Sequence, residues 1–172
     1  MRVEPAVREE IRLLVERGRT ALGLEPDQVI GCAESEIQEI LGVQEIPSLP
    51  ASLDELLRIS GGDDDEMLGG LFPGTCFDRW CMINDGKRIA AKTAGYNKSG
   101  EVFGPDRVVF RTHPNGDVFW MELGDIDPPI FVMTEYEHSV RVLFPRLACK
   151  LEQNVIRVEF EAAGRTDRVL AG

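Results

Sequence analysis

The feature that most constrains this chain is a change of hydrophobic period after Asp106. Up to about residue 93 apolar residues recur every three or four positions. Beyond residue 107 they come in short runs of Val, Phe, Trp and Thr separated by turn residues. A three-to-four-residue period puts apolar side chains on one face of a helix, and short β-branched or aromatic runs between turn residues mark strands. Helices first, antiparallel strands next and a helix last predict an α+β fold.

The helical part reads in three pieces. Residues 6–22 carry Val7, Ile11, Leu14, Val15 and Leu22 on one face, with Arg8, Glu9, Arg12, Glu16 and Arg19 in water. Pro5 suits a first helical position and Gly23 a C-terminal cap. Residues 34–41 form a second helix with Ile37, Ile40 and Leu41 as its stripe, Ser35 and Gln38 at capping-box spacing, and Gly42 as its end. A third follows Leu49-Pro50: Ser52 and Glu55 have capping-box spacing, Leu53, Leu56, Leu57 and Ile59 supply the apolar side, and Gly61-Gly62 ends it. Residues 78–93 are also expected to be helical, interrupted at Gly86, and residues 95–106 to be loop.

Val108 to Thr112 and Asp117 to Leu123 flank Pro114-Asn115-Gly116. Asn-Gly is a strong hairpin signal because both residues accept positive φ. A third strand begins at Ile130, just after Pro128-Pro129, where missing amide donors do least harm. Strand-like residues continue over 139–143. A last helix is expected over residues 145–156, with 157–172 as an edge strand or flexible tail. Neighbours on a strand point to opposite faces, so Phe119 and Trp120 are not expected both to be core. One of them faces outward or lies under a covering helix. Trp120, if outward, is a candidate contact for a partner, since exposed Trp is a common binding anchor.

Acidic residues outnumber basic ones by 30 to 19, a formal charge of −11. Binding to a phosphate backbone needs clustered Lys and Arg, so nucleic acid is not an expected partner. A negative field suits a basic protein partner. No apolar run reaches the roughly 18 residues of a membrane helix, and the first residues lack a signal-peptide core, so a cytoplasmic protein is expected.

Chemical motifs are scarce. Cys32, Cys76, Cys81 and Cys149 include no Cys-x-x-Cys pair. A nucleophilic thiol at Cys76 or Cys81 would need His113 or His138 beside it, oriented by a group such as Asp117. Asp63, Asp64, Asp65 and Glu66 lack the alternating register of a calcium loop and read as a solvated run after the third helix. No glycine run has phosphate-binding register. No cofactor and no metal is expected. Asp63, Asp64, Asp65 and Glu66 are the candidate partner contacts, on a loop after a rigid helix.

Glu36-Ile37, Leu49-Pro50, Gly61-Gly62, Gly116-Asp117, Pro128-Pro129-Ile130 and the helix around Leu147 to Ile156 follow one another as they do in the SUKH superfamily. That family includes bacterial toxin-immunity proteins and a yeast cell-wall assembly regulator. The resemblance covers roughly residues 33–156, leaving residues 1–32 as a helical extension packed on the domain. It implies a central, mostly antiparallel sheet with helices around it. It further implies protein binding without catalysis or cofactor, typically neutralisation of a cognate toxin, here a basic one. A regulatory or scaffolding domain and a cysteine-dependent enzyme are the alternative readings.

Overall fold

The structure, a computed structural model, describes residues 3–62, 67, 82–83, 86–112, 116–134 and 139–170, with side chains described to residue 164. Among these, α1 (Glu4–Leu22), α2 (Glu34–Gln44), α3 (Ala51–Ile59) and α4 (Gly86–Asn97) precede four strands. These are β1 (Arg107–Thr112), β2 (Val118–Glu122), β3 (Ile130–Met133) and β4 (Val140–Phe144), and α5 (Leu147–Leu170) closes the chain. The strands form one antiparallel sheet in the order β1-β2-β3-β4. The fold is α+β.

Alternation along the strands feeds two cores. Val108, Phe110, Phe119, Met121, Ile130 and Val132 face a large core shared with α1, α2, α3 and α5. Val109, Val118, Trp120 and Met133 face a smaller one closed by Ala90 and Ala94 of α4. The pairings agree: Val108 sits opposite Met121, and Val109 opposite Trp120. Phe119 and Trp120 are therefore both buried, at 8% and 1% exposure. The expectation that they cannot both be core is overturned, because there are two cores, one on each face, and Trp120 lies under a covering helix.

Three helices differ at their ends from the sequence reading. Gly42 lies inside α2, which runs on to Gln44 and ends at Glu45 in the left-handed region (φ 52°). Ser35 does not cap it; Glu36 Oε2 accepts the Ala33 N–H at 2.6 Å. In α3 neither Ser52 nor Glu55 caps the N-terminus, because both are buried inside the element. Ser52 N donates instead to Ile126 O at 3.0 Å. α4 starts at Gly86, where a break was expected, and continues through Gly95 into the expected loop.

The largest difference is α5. Instead of stopping near Ile156 and giving way to a strand or tail, it is one helix of 24 residues. Leu147, Ala148, Leu151, Val155 and Val158 keep a helical stripe past the expected end and pack on α1 and the sheet. The N-terminal segment is likewise part of the main core: Val7 and Ile11 are fully buried. Arg146 to Glu10 (3.1 Å) and Arg17 to Glu159 (3.0 Å) show that α1 and α5 lie side by side in the same direction.

Two backbone details lock the helices together. Cys32 N donates to Leu57 O at 2.8 Å, and Gly61 N and Gly62 N both donate to Ile30 O. This seam requires glycine at residue 31, where a Cβ would stand 1.8 Å from Arg58 O. At the other side of the molecule, Gln44 is 1% exposed. Its amide donates to Val109 O (2.7 Å) and Met82 O (3.0 Å) and accepts from Val109 N (2.9 Å). The side chain thus pairs with the free edge of β1 as a neighbouring strand would.

Each buried polar group left without its partner costs about 1–3 kcal/mol. Gln44→Leu strands the Val109 N–H and C=O together. We expect a loss of about 2–4 kcal/mol in urea unfolding, with the slope of the transition unchanged. A change under about 0.5 kcal/mol, the usual range for surface substitutions, would show that the edge pairing is dispensable.

Candidate functional site

The Ser52–Ile126 backbone bond joins the start of α3 to the turn after β2. Around it lies an open cleft of about 460 Å³ between the N-terminus of α1, α2, the start of α3 and residues 123–126. Its apolar side is formed by Ile37, Leu41, Leu49, Pro50, Leu123 and Ile126. Its polar rim includes Glu4, Arg8, Gln38, Asp54, Arg58 and Asp125.

The rim charges form a chain. Arg8 donates to Glu4 Oε1 (2.9 Å), Asp54 Oδ2 (2.7 Å) and Glu55 Oε2 (2.9 Å). Arg12 Nε donates to Glu55 Oε1 at 2.6 Å. Arg58 joins Asp54 (2.9 Å) to Glu34 (2.7 Å). These pairs bind α1, α2 and α3 to one another. Burial works against the charge on Arg8, yet its bonds to Asp54, Glu55 and Glu4 outweigh that and raise its pKa. The bond to Glu34 likewise raises Arg58 against the cost of its partial burial. Glu34 is held below the usual carboxylate range by Gln38 Nε2 and Arg58.

The charges divide by depth. Asp54 and Glu55 are mostly buried, their side chains 13% and 7% exposed, and they hold the guanidiniums inward. Glu4 and Glu34 stand in water at 53% and 63%, and Asp125 is also exposed. Among the residues lining the cleft, three carboxylates (Glu4, Asp54, Asp125) face two guanidiniums (Arg8, Arg58), so its mouth carries a small acidic excess.

A basic area lies elsewhere. Arg111 sits 4.5 Å over the Phe119 ring and Lys150 Nζ 4.9 Å over the Phe144 ring. Burial lowers the pKa of Lys150, and the nearby charges of Arg111 and Arg157 lower it further.

Of the residues expected to contact a partner, Asp63, Asp64, Asp65 and Glu66 lie outside the described residues. Trp120 is described and is not at the surface. It is stacked on Phe131 (5.7 Å between centroids), edge-on to Phe103 (5.2 Å) and buried beneath α4. Its expected role as an outward contact gives way to an internal one, because α4 covers that face of the sheet. Cys76, Cys81, His113 and His138 also lie outside the described residues. Cys32 is buried and donates its S–H to Gly61 O at 3.1 Å. Cys149 is half-buried, with Arg146 Nη2 3.4 Å from its sulfur. Among the described residues no group of three or more His, Cys, Asp or Glu side chains is placed to hold a metal. No described helix is long and apolar enough to cross a membrane.

Sequence reasoning missed the Glu55 network. Arg8 and Arg12 read as solvated and Glu55 as a cap. The available signal was Glu55 lying next to the Leu53-Leu56-Leu57 stripe of a short helix, where a carboxylate needs a cation beside it. Asp127 was missed for a different reason: its Oδ1 accepts the Leu147 N–H at 3.0 Å, and 20 residues separate the two in sequence. Set against known proteins, the chain matches no family model, and no curated protein is significantly similar to it.

Removing one partner of a fully buried ion pair costs about 3–5 kcal/mol. Arg12 is 55% exposed and Arg8 25%, which weakens that figure. Glu55→Ala is expected to lose about 2–3 kcal/mol. Adding Arg8→Ala should cost less than its separate effect, as in any coupled pair. Strictly additive losses in chemical denaturation would show that the network is not coupled. Lys150 gives a pH test. Its folded pKa lies below the ordinary 10.5, so the folded state is penalised while the amine is charged. Stability should therefore rise as pH climbs through the folded value towards 10.5, and Lys150→Met should lack that rise. Parallel stability–pH curves for the two proteins would refute this.

Proposed function

We propose that this chain is a protein-binding module of the SUKH type, working in the cytoplasm as an immunity protein that occludes the surface of a cognate toxin. The observation that carries the reading is the apolar-sided cleft, with its small acidic excess, beside the Ser52–Ile126 bond. Concave sites with apolar sides and a few placed polar groups are the usual form of a binding site. Here the deep charges are spent on one another, while Asp125 and Glu4, the latter bonded to Arg8 through Oε1, stay exposed to a partner. The net charge of −11 adds an attractive field for a basic surface, which speeds capture more than it adds affinity. Asp63, Asp64, Asp65 and Glu66, which follow α3 in sequence and lie outside the described residues, are the further proposed partner contacts.

Occlusion needs no bond making or breaking by this chain. The buried rim pairs keep α1, α2 and α3 rigid, so little order is lost on association. The test is co-expression with the product of the neighbouring gene in a cell that product harms. Growth should be restored, and the two proteins should co-purify. Their association should weaken about tenfold in an Asp63→Lys/Asp64→Lys variant, with a shallower salt dependence. Absence of both rescue and complex would refute the immunity reading.

A further inference from the structure

The cleft also restricts what kind of surface it can receive. Three alternatives can be compared by chemistry. A phosphate or another anion would have to take Arg8 or Arg58 from carboxylates that already hold them at 2.7–2.9 Å, and would enter past exposed Glu4 and Asp125. An uncharged apolar ligand would fit the leucine and proline side but would draw water from exposed Glu4 and Asp125 without supplying a cation, which costs free energy. A segment with an aliphatic side chain between cationic ones satisfies both parts: the aliphatic group covers Leu41, Leu49 and Ile126, and the cations meet Glu4 and Asp125.

We infer that this cleft seats an extended segment of the partner, carrying an aliphatic side chain flanked by Arg or Lys. The inference rests on reading the chain as a protein-binding module. It adds where and by what chemistry the module grips. The site is stiff on its proline side. Pro47 and Pro50 fix the backbone of one wall, and Gly124 turns the other at φ 116°. A pre-formed wall loses little entropy on binding, which favours a short segment as ligand.

The probes are three capped peptides, acetyl-Arg-Leu-Arg-amide, acetyl-Arg-Gly-Arg-amide and acetyl-Glu-Leu-Glu-amide, titrated into the labelled full chain and followed by amide chemical shifts. The first should shift Gln38, Ser48, Gly124 and Asp125 saturably. The other two should bind at least tenfold more weakly. Ser48→Trp, which fills the cleft from an exposed position, and Asp125→Lys should each abolish the shifts while their thermal midpoints stay near that of the parent. Phe160→Glu, exposed and outside the cleft, should bind as the parent does. No saturable shift, equal response to the three peptides, or shifts centred elsewhere would overturn the inference. The neighbouring gene product separates the two readings. If it is neutralised equally by the parent and by Ser48→Trp, the immunity reading stands and the cleft assignment falls. If the parent fails to neutralise it while the Arg-Leu-Arg peptide still titrates the cleft, the assignment stands and the immunity reading falls.

Discussion

Gln44 is where the helical half of the molecule and the sheet become one structure. Val109 lies on an edge strand, and its N–H and C=O point away from β2 towards the end of α2. Left alone they would be a buried, unpaired edge. The carboxamide of Gln44 presents one donor and one acceptor at peptide spacing and closes both. Its own backbone carbonyl accepts from Lys87, which also donates to Gly104 O at 2.7 Å, so α4 is tied to the same point. Burial explains why such a bond matters: exchange with water is not available to these groups, and every orphan would be charged at its full desolvation cost.

From that junction the sheet can be covered on both faces. Four antiparallel strands commonly leave one face in water. Here α4 covers the second face over β1 and β2, which turns the alternation of Val118, Phe119, Trp120 and Met121 into burial of all four. Arg107 adds a polar lid. It lies 5.8 Å from the ring centres of both Phe103 and Trp120 and pairs with Glu101 and Glu122. Coverage thins towards β4, where Val142 is 54% exposed.

The charges follow a similar logic. An excess of carboxylates does not prevent α1, α2 and α3 from meeting, because the carboxylates nearest the core each capture a guanidinium. The excess is left outside, in water. The same ion pairs therefore serve two ends: they hold three helices in register and they decide which charges remain available to another molecule. Any binding reading of this chain depends on that division between inner and outer charge, and on the proline-bounded wall staying where it is.

Much of the architecture was legible in the linear pattern. The period change placed the helices and strands, Gly23 ended α1 as a left-handed cap, and Asn-Gly lay between two strands that do pair. These are local effects, set by the conformational preferences of a few adjacent residues. Helix ends were legible only in part. Gly42 and Gly95 suit helix termination, yet neighbouring residues buried in the core, such as Gln44 and Asn97, keep the helix going. The extension of α5 past Ile156 depends on α1 supplying a surface for Val158 and a partner for Glu159. What the sequence determined by itself was the class of fold, the order of its elements and an acidic exterior, since each follows from residues close together or from simple counting. The second core around Trp120, the Gln44 seam, the Glu55 network and the cleft were decided only by tertiary structure. Each needs groups tens of residues apart to meet out of water, and only there does a missing partner cost enough to select one arrangement.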